Sequence, residues 1–592
     1  MTNESKRNQI RNPKQEIRNP KQEIRSTKSE TNSSHSSRLG HPFTRTCLVV
    51  LLCSFGICQL AANDGNTVSR LIDAEISSRL AQDKITPAPR ADDATLLRRL
   101  YLDLLGRLPT VAETEAFLAD SNPDKSQRLI DTLLVHPEMP VYWRKVIDGW
   151  LNGYLGRDNR GVGYPEYLDF LERSLAANKP WDQIVRQLLL PNPTDADHKG
   201  ASHFIAHRLN RGKEENHDHF ATSVASGLFG VQMQCAKCHD HPFVDEWKQA
   251  HYYGIAAFFT RLERKPGNGL PFSERPDGEV QYVTKNKEEK LAAAMFFDSV
   301  VLDDATAPAK DGKTPKRDSR PVNRRELLAN HALSPNSPYF KRSLVNRVWK
   351  QLLGRGLVEP VDQIHAANPA SHPRLLDELA NDFSASRFDM RRLLAGILRS
   401  ETYQRASNLP SAGAVARPSA DLYAVAALKP LSGDQLAWSL ATATGFTDQL
   451  LLKWGKELKP APEKGTLNPA LRVRWEKEAD YDAIVERFVA SGDSFQANVS
   501  QALFLTFNPA VVKILQPGPN KPLAPNLADR LLAESDSERR VELAYLAILA
   551  RRPTAEEIAD GSAHLGAVGD PKTAVSDLVG ALLNSPEFRF VH

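Results

Sequence analysis

Leucines recur at helical spacing in DATLLRRLYLDLLGRLPTVAETEAFLAD, where Leu97, Leu100, Leu104 and Leu105 share one face. Pro109 and Thr110 interrupt the run. Thr110 with Glu113 then predicts a capping box for a second helix. A third helix, KSQRLIDTLLVHPE, stops at Pro137, and helical patterning continues to about residue 259. Between 260 and 322 the pattern changes. RLERKPGNGLPFSERPDGEVQYVTKNKEEK is turn-rich, with a predicted strand at 279–284. MFFDSVVLDD is a second strand candidate, and ATAPAKDGKTPKRDSRP reads as a linker. Helices resume in RRELLANHAL, YFKRSLVNRVWKQLLGRG, PRLLDELANDFSAS and MRRLLAGILRSETYQR. A charged, proline-containing gap spans about 453–482, and NVSQALFLTF predicts a later helix. The expected fold is mostly α: two helical domains, 68–260 and 323–592, joined by a small β/loop insert at 261–322.

One phrase occurs twice. VELAYLAILARRPTAEEIADGSAHL repeats the first helical unit in register, pairing Tyr101 with Tyr545, Arg107 with Arg551, Thr110 with Thr554 and Glu113 with Glu557. Both copies close alike, LLVHPE against LLNSPE. Two related helical units at the two ends are expected, too far apart in sequence for a solenoid.

The first 62 residues do not read as fold. The tandem heptads RNPKQEI at 11–17 and 18–24 lack an apolar seam, so residues 1–45 are expected to be a disordered tail or a start placed too far upstream. Arg38 and Arg45 precede an uncharged apolar run at 46–62 that ends in Ala61 and Ala62, the pattern of a secretory signal peptide. The run is short for a membrane span, so no integral span is expected after cleavage. The expected location is the periplasm or the cell surface.

Removing that segment changes the reading of charge and cysteine. The net charge of +4 hides ten Lys/Arg against four Asp/Glu in residues 1–45, so the remainder sums to about −2, with no footprint for nucleic acid. Three of five cysteines, Cys47, Cys53 and Cys58, leave with the signal. Cys235 and Cys238 remain, in GVQMQCAKCHDHPF.

C-x-x-C-H suits covalent haem c: two thiols on one side of a helical turn meet the two vinyl groups, and His239 binds iron. His207, His217, His219 and His241 are candidate second ligands; His198, His203 and His251 crowd the same region. Zinc held by Cys235, Cys238, a histidine of CHDH and an upstream histidine is an alternative. A redox dithiol and a plain disulfide also stay open, although the strand-then-helix context of a thioredoxin is missing.

GLFGVQMQCAKCHDHPFVDEWKQAHYYGIAAFF, with RRLYLDLLGRLPT and LLVHPEMPVYW before it, resembles the second planctomycete cytochrome C-like domain, a domain of unknown function. NSPYFKRSLVNRVWKQLLGRGLVEPVDQIHAANPASHPRLLDELANDF, with ILRSETYQ, QALFLTFNP and LLNSPEFRFVH after it, is similar to its companion, planctomycete surface domain one. The resemblance implies export and a cytochrome-like role, but no reaction. In the companion, the motif positions are Asn346, Arg347, Trp349, Gly354, Arg355, Gly356, His372 and Pro373. Arg347 and Arg355 are candidates to clamp a carboxylate or sulfate, with His372 as acid or base; the plainer reading is a helix followed by glycine caps. Two functions are carried forward. One is an exported c-type haem protein serving electron transfer with an unknown redox partner protein. The other is a non-redox surface or scaffold protein associated with cell-surface polysaccharide.

Overall fold

The computed structural model describes residues 66–153, 163–192, 194–209, 216–265, 272–275, 278–302, 323–409, 417–454, 511 and 525–591. The expected tail, signal peptide, linker and NVSQALFLTF helix lie outside the described residues, as does most of the gap at 453–482. The described residues all fall within one compact unit, residues 59–592.

The chain is mostly helical, as its patterning predicts. Helix α1 (66–82) is followed by α2 (Asp93–Leu105), α3 (Val111–Ala119), α4 (Lys125–Leu134), α5 (Glu138–Asn152), α6 (Tyr164–Ala176), α7 (Trp181–Leu189), α8 (His203–Leu209), α9 (Asn216–Phe229) and α10 (Gln249–Ala257). Then come β1 (Leu262–Arg264), β2 (Phe272–Glu274), β3 (Gln281–Val283) and β4 (Glu289–Leu291). The later helices are α11 (Arg324–Ala332), α12 (Pro338–Leu353), α13 (Pro373–Ala385), α14 (Met390–Arg399), α15 (Glu401–Gln404), α16 (Gly433–Thr444) and α17 (Phe446–Trp454). The C-terminal group is α18 (Leu527–Ala533), α19 (Ser537–Ile548), α20 (Ala555–Ala567), α21 (Pro571–Asn584) and α22 (Pro586–Arg589). Strand β5 (Lys429–Pro430) pairs with the last strand, β6 (Phe590–Val591).

Two expectations in the middle of the chain are corrected. The first insert strand is real but shorter and pairs antiparallel with β4, and among the described residues the second strand candidate, MFFDSVVLDD, forms no strand. That second segment makes only a Met295–Val301 bridge, because Phe296 and Phe297 turn inward and Ser299 takes a left-handed backbone. MRRLLAGILRSETYQR is two helices rather than one. Ser400 is extended (ψ 146) and its hydroxyl accepts from Tyr403 N, starting a new helix.

Asp92 caps α2 by accepting from Thr95 N, and Gly106 ends it in the left-handed region. The leucines at 97, 100, 104 and 105 are buried, as predicted, and so is Leu96. So are Arg98, Arg99 and Asp103 on the other side, which a simple amphipathic pattern would leave in water. Helix α2 lies between two parts of the molecule. Arg98 donates to Phe588 O at 2.8 Å and Glu587 O at 3.0 Å, and Arg99 donates to Arg405 O at 3.1 Å. One core of buried apolar side chains runs through both helical regions.

The two repeated units carry the same ion-pair node. Arg107 Nε donates to Glu138 at 2.6 Å, and its two Nη atoms reach Glu113 at 2.9 and 3.1 Å. Arg551 Nε donates to Glu587 at 2.6 Å, and its Nη atoms both reach Glu557 at 2.7 Å. Each guanidinium lies over the matching tyrosine, Tyr101 at 5.3 Å and Tyr545 at 5.2 Å. Each glutamate closes a capping box with its threonine, Thr110 or Thr554. The units also touch: Arg539 pairs with Glu115 at 3.0 Å.

The nodes predict acid sensitivity. The Arg551 hydrogen bond holds the Glu557 carboxyl down at about 2, against burial. Burial works to raise Glu113, but Arg107 outweighs it and the net shift is downward. A depressed carboxylate contributes stability that is fully present above its unfolded value, about 4.3, and lost as pH falls through the folded value. The urea midpoint is therefore expected to fall between about pH 4.5 and 2, and less steeply in Arg551→Met. An equal acid slope in that variant would exclude this node as the cause.

Candidate functional site

Helix α9 delivers the cysteine motif. It ends in an αL cap, with Gly230 at φ 68 and Gly230 N donating to Ser226 O at 3.1 Å; Val231 N then donates to Ala225 O at 3.0 Å. The chain leaves the cap alongside a segment from the second helical region. Val231 bridges Gln363 antiparallel, Gln232 N donates to Asp362 O at 2.7 Å, and Ile364 N donates to Gly230 O at 3.0 Å. Ser226 Oγ donates to Asp362 Oδ2 at 3.0 Å, and Arg347 donates to Ser226 O at 2.7 Å.

Buried Met233 anchors the next turn, a 3₁₀ helix at Gln234–Lys237. Ala236 points into the core while Cys235 and Cys238 are exposed free thiols. Cys235 lies within this turn and Cys238 caps it three residues on, so the two exposed thiols flank a single turn. Lys237, between them, pairs with Asp218 of α9, which also accepts from Tyr252 Oη at 2.6 Å. Gln249 secures the turn by donating to Lys237 O at 3.1 Å.

His239 follows on the surface. Its Nδ1 lies 2.6 Å from Asp240 O. A carbonyl oxygen can only accept, so Nδ1 carries the proton and Nε2 keeps its lone pair. This is the arrangement a metal-binding imidazole uses. His241 is half-buried and accepts at Nδ1 from Phe243 N at 3.3 Å. Burial lowers its pKa, and the nearby His239 adds to that. Phe243 stands 83% exposed at the tip of the loop, above buried Trp247.

The other predicted histidines sit apart in role. His207 is buried on α8 and stacks on His203 at 5.4 Å. His203 in turn packs against Tyr164 and Tyr167. His219 is half-buried on α9; the side chain of His217 lies outside the described residues. His251 spends both nitrogens on the fold, with Lys248 N at 3.1 Å and Ser299 Oγ at 3.0 Å. His198 accepts from Asn192 N at 3.1 Å and faces Asp195 at 3.3 Å.

One imidazole near the motif was absent from the predicted set. His365 follows the strip paired with Val231, and the next residue, Ala366, donates from its amide to Glu246 at 2.9 Å. Burial lowers its pKa; Glu246 opposes this, and His241 adds to it, so the three groups share a field. Nothing in QIHAANP marks His365 as a site residue: it has no motif spacing, and only a long-range bridge between two non-strand segments brings it here.

In the companion region, Asn346 is fully buried and clamps the turn after α12, donating to Val358 O at 2.8 Å and accepting from Val358 N at 2.9 Å. Gly354 ends α12 at φ 82, and Gly356 N donates to Glu359 at 2.8 Å. Trp349 meets Tyr423 edge-on at 5.3 Å. His372, buried at the start of α13, lies 5.7 Å from the same ring. Asp421 is held low by the Ser419 hydroxyl first, with exposed Arg355 and His372 adding to it. Arg355 and His372 thus share the surroundings of Tyr423 and Asp421, while Arg347 faces α9.

Among the described residues, no three His, Cys, Asp or Glu side chains converge as a metal cluster. Covalent haem needs no such convergence, only two thiols flanking one turn and one adjacent imidazole with a free nitrogen. Cys235, Cys238 and His239 fit that requirement. Among the described residues, no helix is long and apolar enough to cross a membrane.

Fold and site define a mostly helical protein whose surface C-x-x-C-H loop is docked on a second helical region. Residues 71–264 match PSCyt2, a protein family of unknown function (DUF1549), and residues 324–565 match PSD1, likewise of unknown function (DUF1553). The chain belongs to these families, the planctomycete cytochrome-like domain two followed by surface domain one. No curated protein and no solved structure matches it.

Proposed function

We propose that this protein is exported and carries one c-type haem at Cys235, Cys238 and His239, serving electron transfer or a redox subunit. The observation that carries this reading is the exposed pair of free thiols flanking one turn, beside an imidazole whose Nδ1 lies against the Asp240 carbonyl. Bound there, haem supplies one-electron chemistry. Each thiol adds across one vinyl group: the S–H bond breaks, a C–S bond forms and the proton ends on carbon, so no oxidant is consumed. Asp240 O orients His239, and the Lys237–Asp218 pair with Gln249 holds the turn that spaces the sulfurs. The exposure of both cysteines and His239 would leave a bound haem open to a partner protein.

The test is full-length protein matured in a host with haem-attachment machinery. A Soret band that survives acid–acetone extraction and a mass increase of one haem are expected. Cys235→Ser with Cys238→Ser is expected to abolish both while leaving the helical spectrum in place. Colourless wild-type protein with the mass of bare polypeptide would overturn the proposal.

A further inference from the structure

We infer that His365, from the second family region, binds the iron opposite His239, so that one haem joins both regions of the chain. This deepens the haem reading and rests on it.

The opposite ligand must come from outside the motif loop. Two residues of chain span at most about 7 Å. That tether is too short to carry His241 from beside His239 round the edge of a macrocycle to its other face. A ligand there has to arrive on a separate segment, and the 361–365 strip is the segment paired to the motif's own lead-in. Two backbone hydrogen bonds, which together make the Val231–Gln363 bridge, hold the two segments: Gln232 N to Asp362 O and Ile364 N to Gly230 O. The strip is stiff beyond the pairing too. Asn368 bridges back to His365 and donates to Gln363 O at 3.0 Å, and Glu246 takes the Ala366 amide.

His365 also differs from its neighbours in what its ring does. His251 and His198 commit both nitrogens to well-placed partners. His365 Nδ1 is shut off from water with no hydrogen-bond partner among the described residues. Its Nε2 has only a 3.2 Å contact with Gln363 Oε1, from a side chain two residues away on the same strip. An imidazole that the fold holds by one side-chain contact is placed for a ligand. Its unpartnered Nδ1, on a stiff strip paired to the motif's lead-in, supplies what the motif itself lacks.

The experiment uses holoprotein matured in cells. Wild type is expected to be six-coordinate and low-spin in both oxidation states and inert to carbon monoxide. His365→Ala is expected to keep covalent haem but turn high-spin and bind carbon monoxide, with added imidazole restoring the low-spin spectrum. His365→Met, which keeps a ligand, is expected to raise the midpoint potential. His241→Ala is expected to stay low-spin. A coloured wild type that is already five-coordinate, a His365→Ala spectrum unchanged from wild type, or opening of the iron by His241→Ala instead would each overturn this inference and leave haem attachment standing. Colourless wild type would overturn the attachment reading itself.

Discussion

Asp103→Ala is expected to lower the free energy of unfolding by about 3–5 kcal/mol, the usual cost of stranding one member of a buried ion pair. Asp103 is fully buried. Its carboxylate accepts from Lys429 Nζ at 2.6 and 2.9 Å and from Tyr403 Oη at 2.9 Å. Lys429 also donates to Leu352 O at 2.8 Å and Gln351 O at 3.1 Å. One cluster therefore ties α2, the end of α12, α15 and β5 together. Burial already drives the Lys429 pKa down, and Asp103 is the main force opposing it. Without Asp103 the ammonium loses that support and sheds its proton more readily. A lysine depressed in the fold binds fewer protons than in the unfolded chain, so stability rises with pH up to the unfolded value, about 10.4. The variant's urea midpoint should climb from pH 7 to 9.5 more steeply than that of wild type. The double replacement Asp103→Leu with Lys429→Met removes both charges and should recover most of the loss. A single-variant loss below about 1 kcal/mol would show that the pair is not what holds these elements together.

Much of this was legible in the sequence because it is local. Capping box, helix periods and the duplicated phrase all depend on residues a few positions apart. The duplication even located Arg107 and Arg551 and, at the ends of LLVHPE and LLNSPE, Glu138 and Glu587, although not that they pair across 31 and 36 residues. The C-x-x-C-H turn was legible for the same reason. What escaped depends on distant pairing. Arg98, Arg99 and Asp103 look like the wet side of α2 until the carbonyls at 588 and 405 and the Lys429 ammonium reach them. MFFDSVVLDD was misread as a strand because Phe296 and Phe297 have the apolar, strand-forming look of a ladder yet serve as core plugs, packed against Phe229 and Tyr339. His365 was missed because its position follows from a bridge between two stretches with no strand pattern of their own.

Gly230→Val is expected to be the most damaging change next to the motif, because it strikes that bridge. At φ 68, Gly230 holds a backbone that a β-branched residue adopts only at a cost of about 1–2 kcal/mol. A Cβ would also stand 2.6 Å from Ile364 Cδ1 and 3.2 Å from Val361 O, and overpacking of this kind costs roughly 1–3 kcal/mol more. Ile364 has a mobile end and can retreat; the Val361 carbonyl is backbone and cannot without moving the strip. The loss should therefore total about 2–5 kcal/mol. Gly580→Ala serves as the control. That glycine lies inside α21 with nothing within 4 Å of a new Cβ, so the change should be neutral or stabilise by roughly 0.5–1 kcal/mol. Hydrogen exchange separates a general loss from a local one. In Gly230→Val, the amides of Gln232 and Ile364, which bond across the bridge, should lose protection before Arg98 and its neighbours in α2 do. If both amides stay as protected as in wild type while the midpoint falls, the strip is still docked and the damage lies in the α9 cap alone. If they exchange freely and the α2 amides do not, the motif's lead-in has separated from the segment that carries His365.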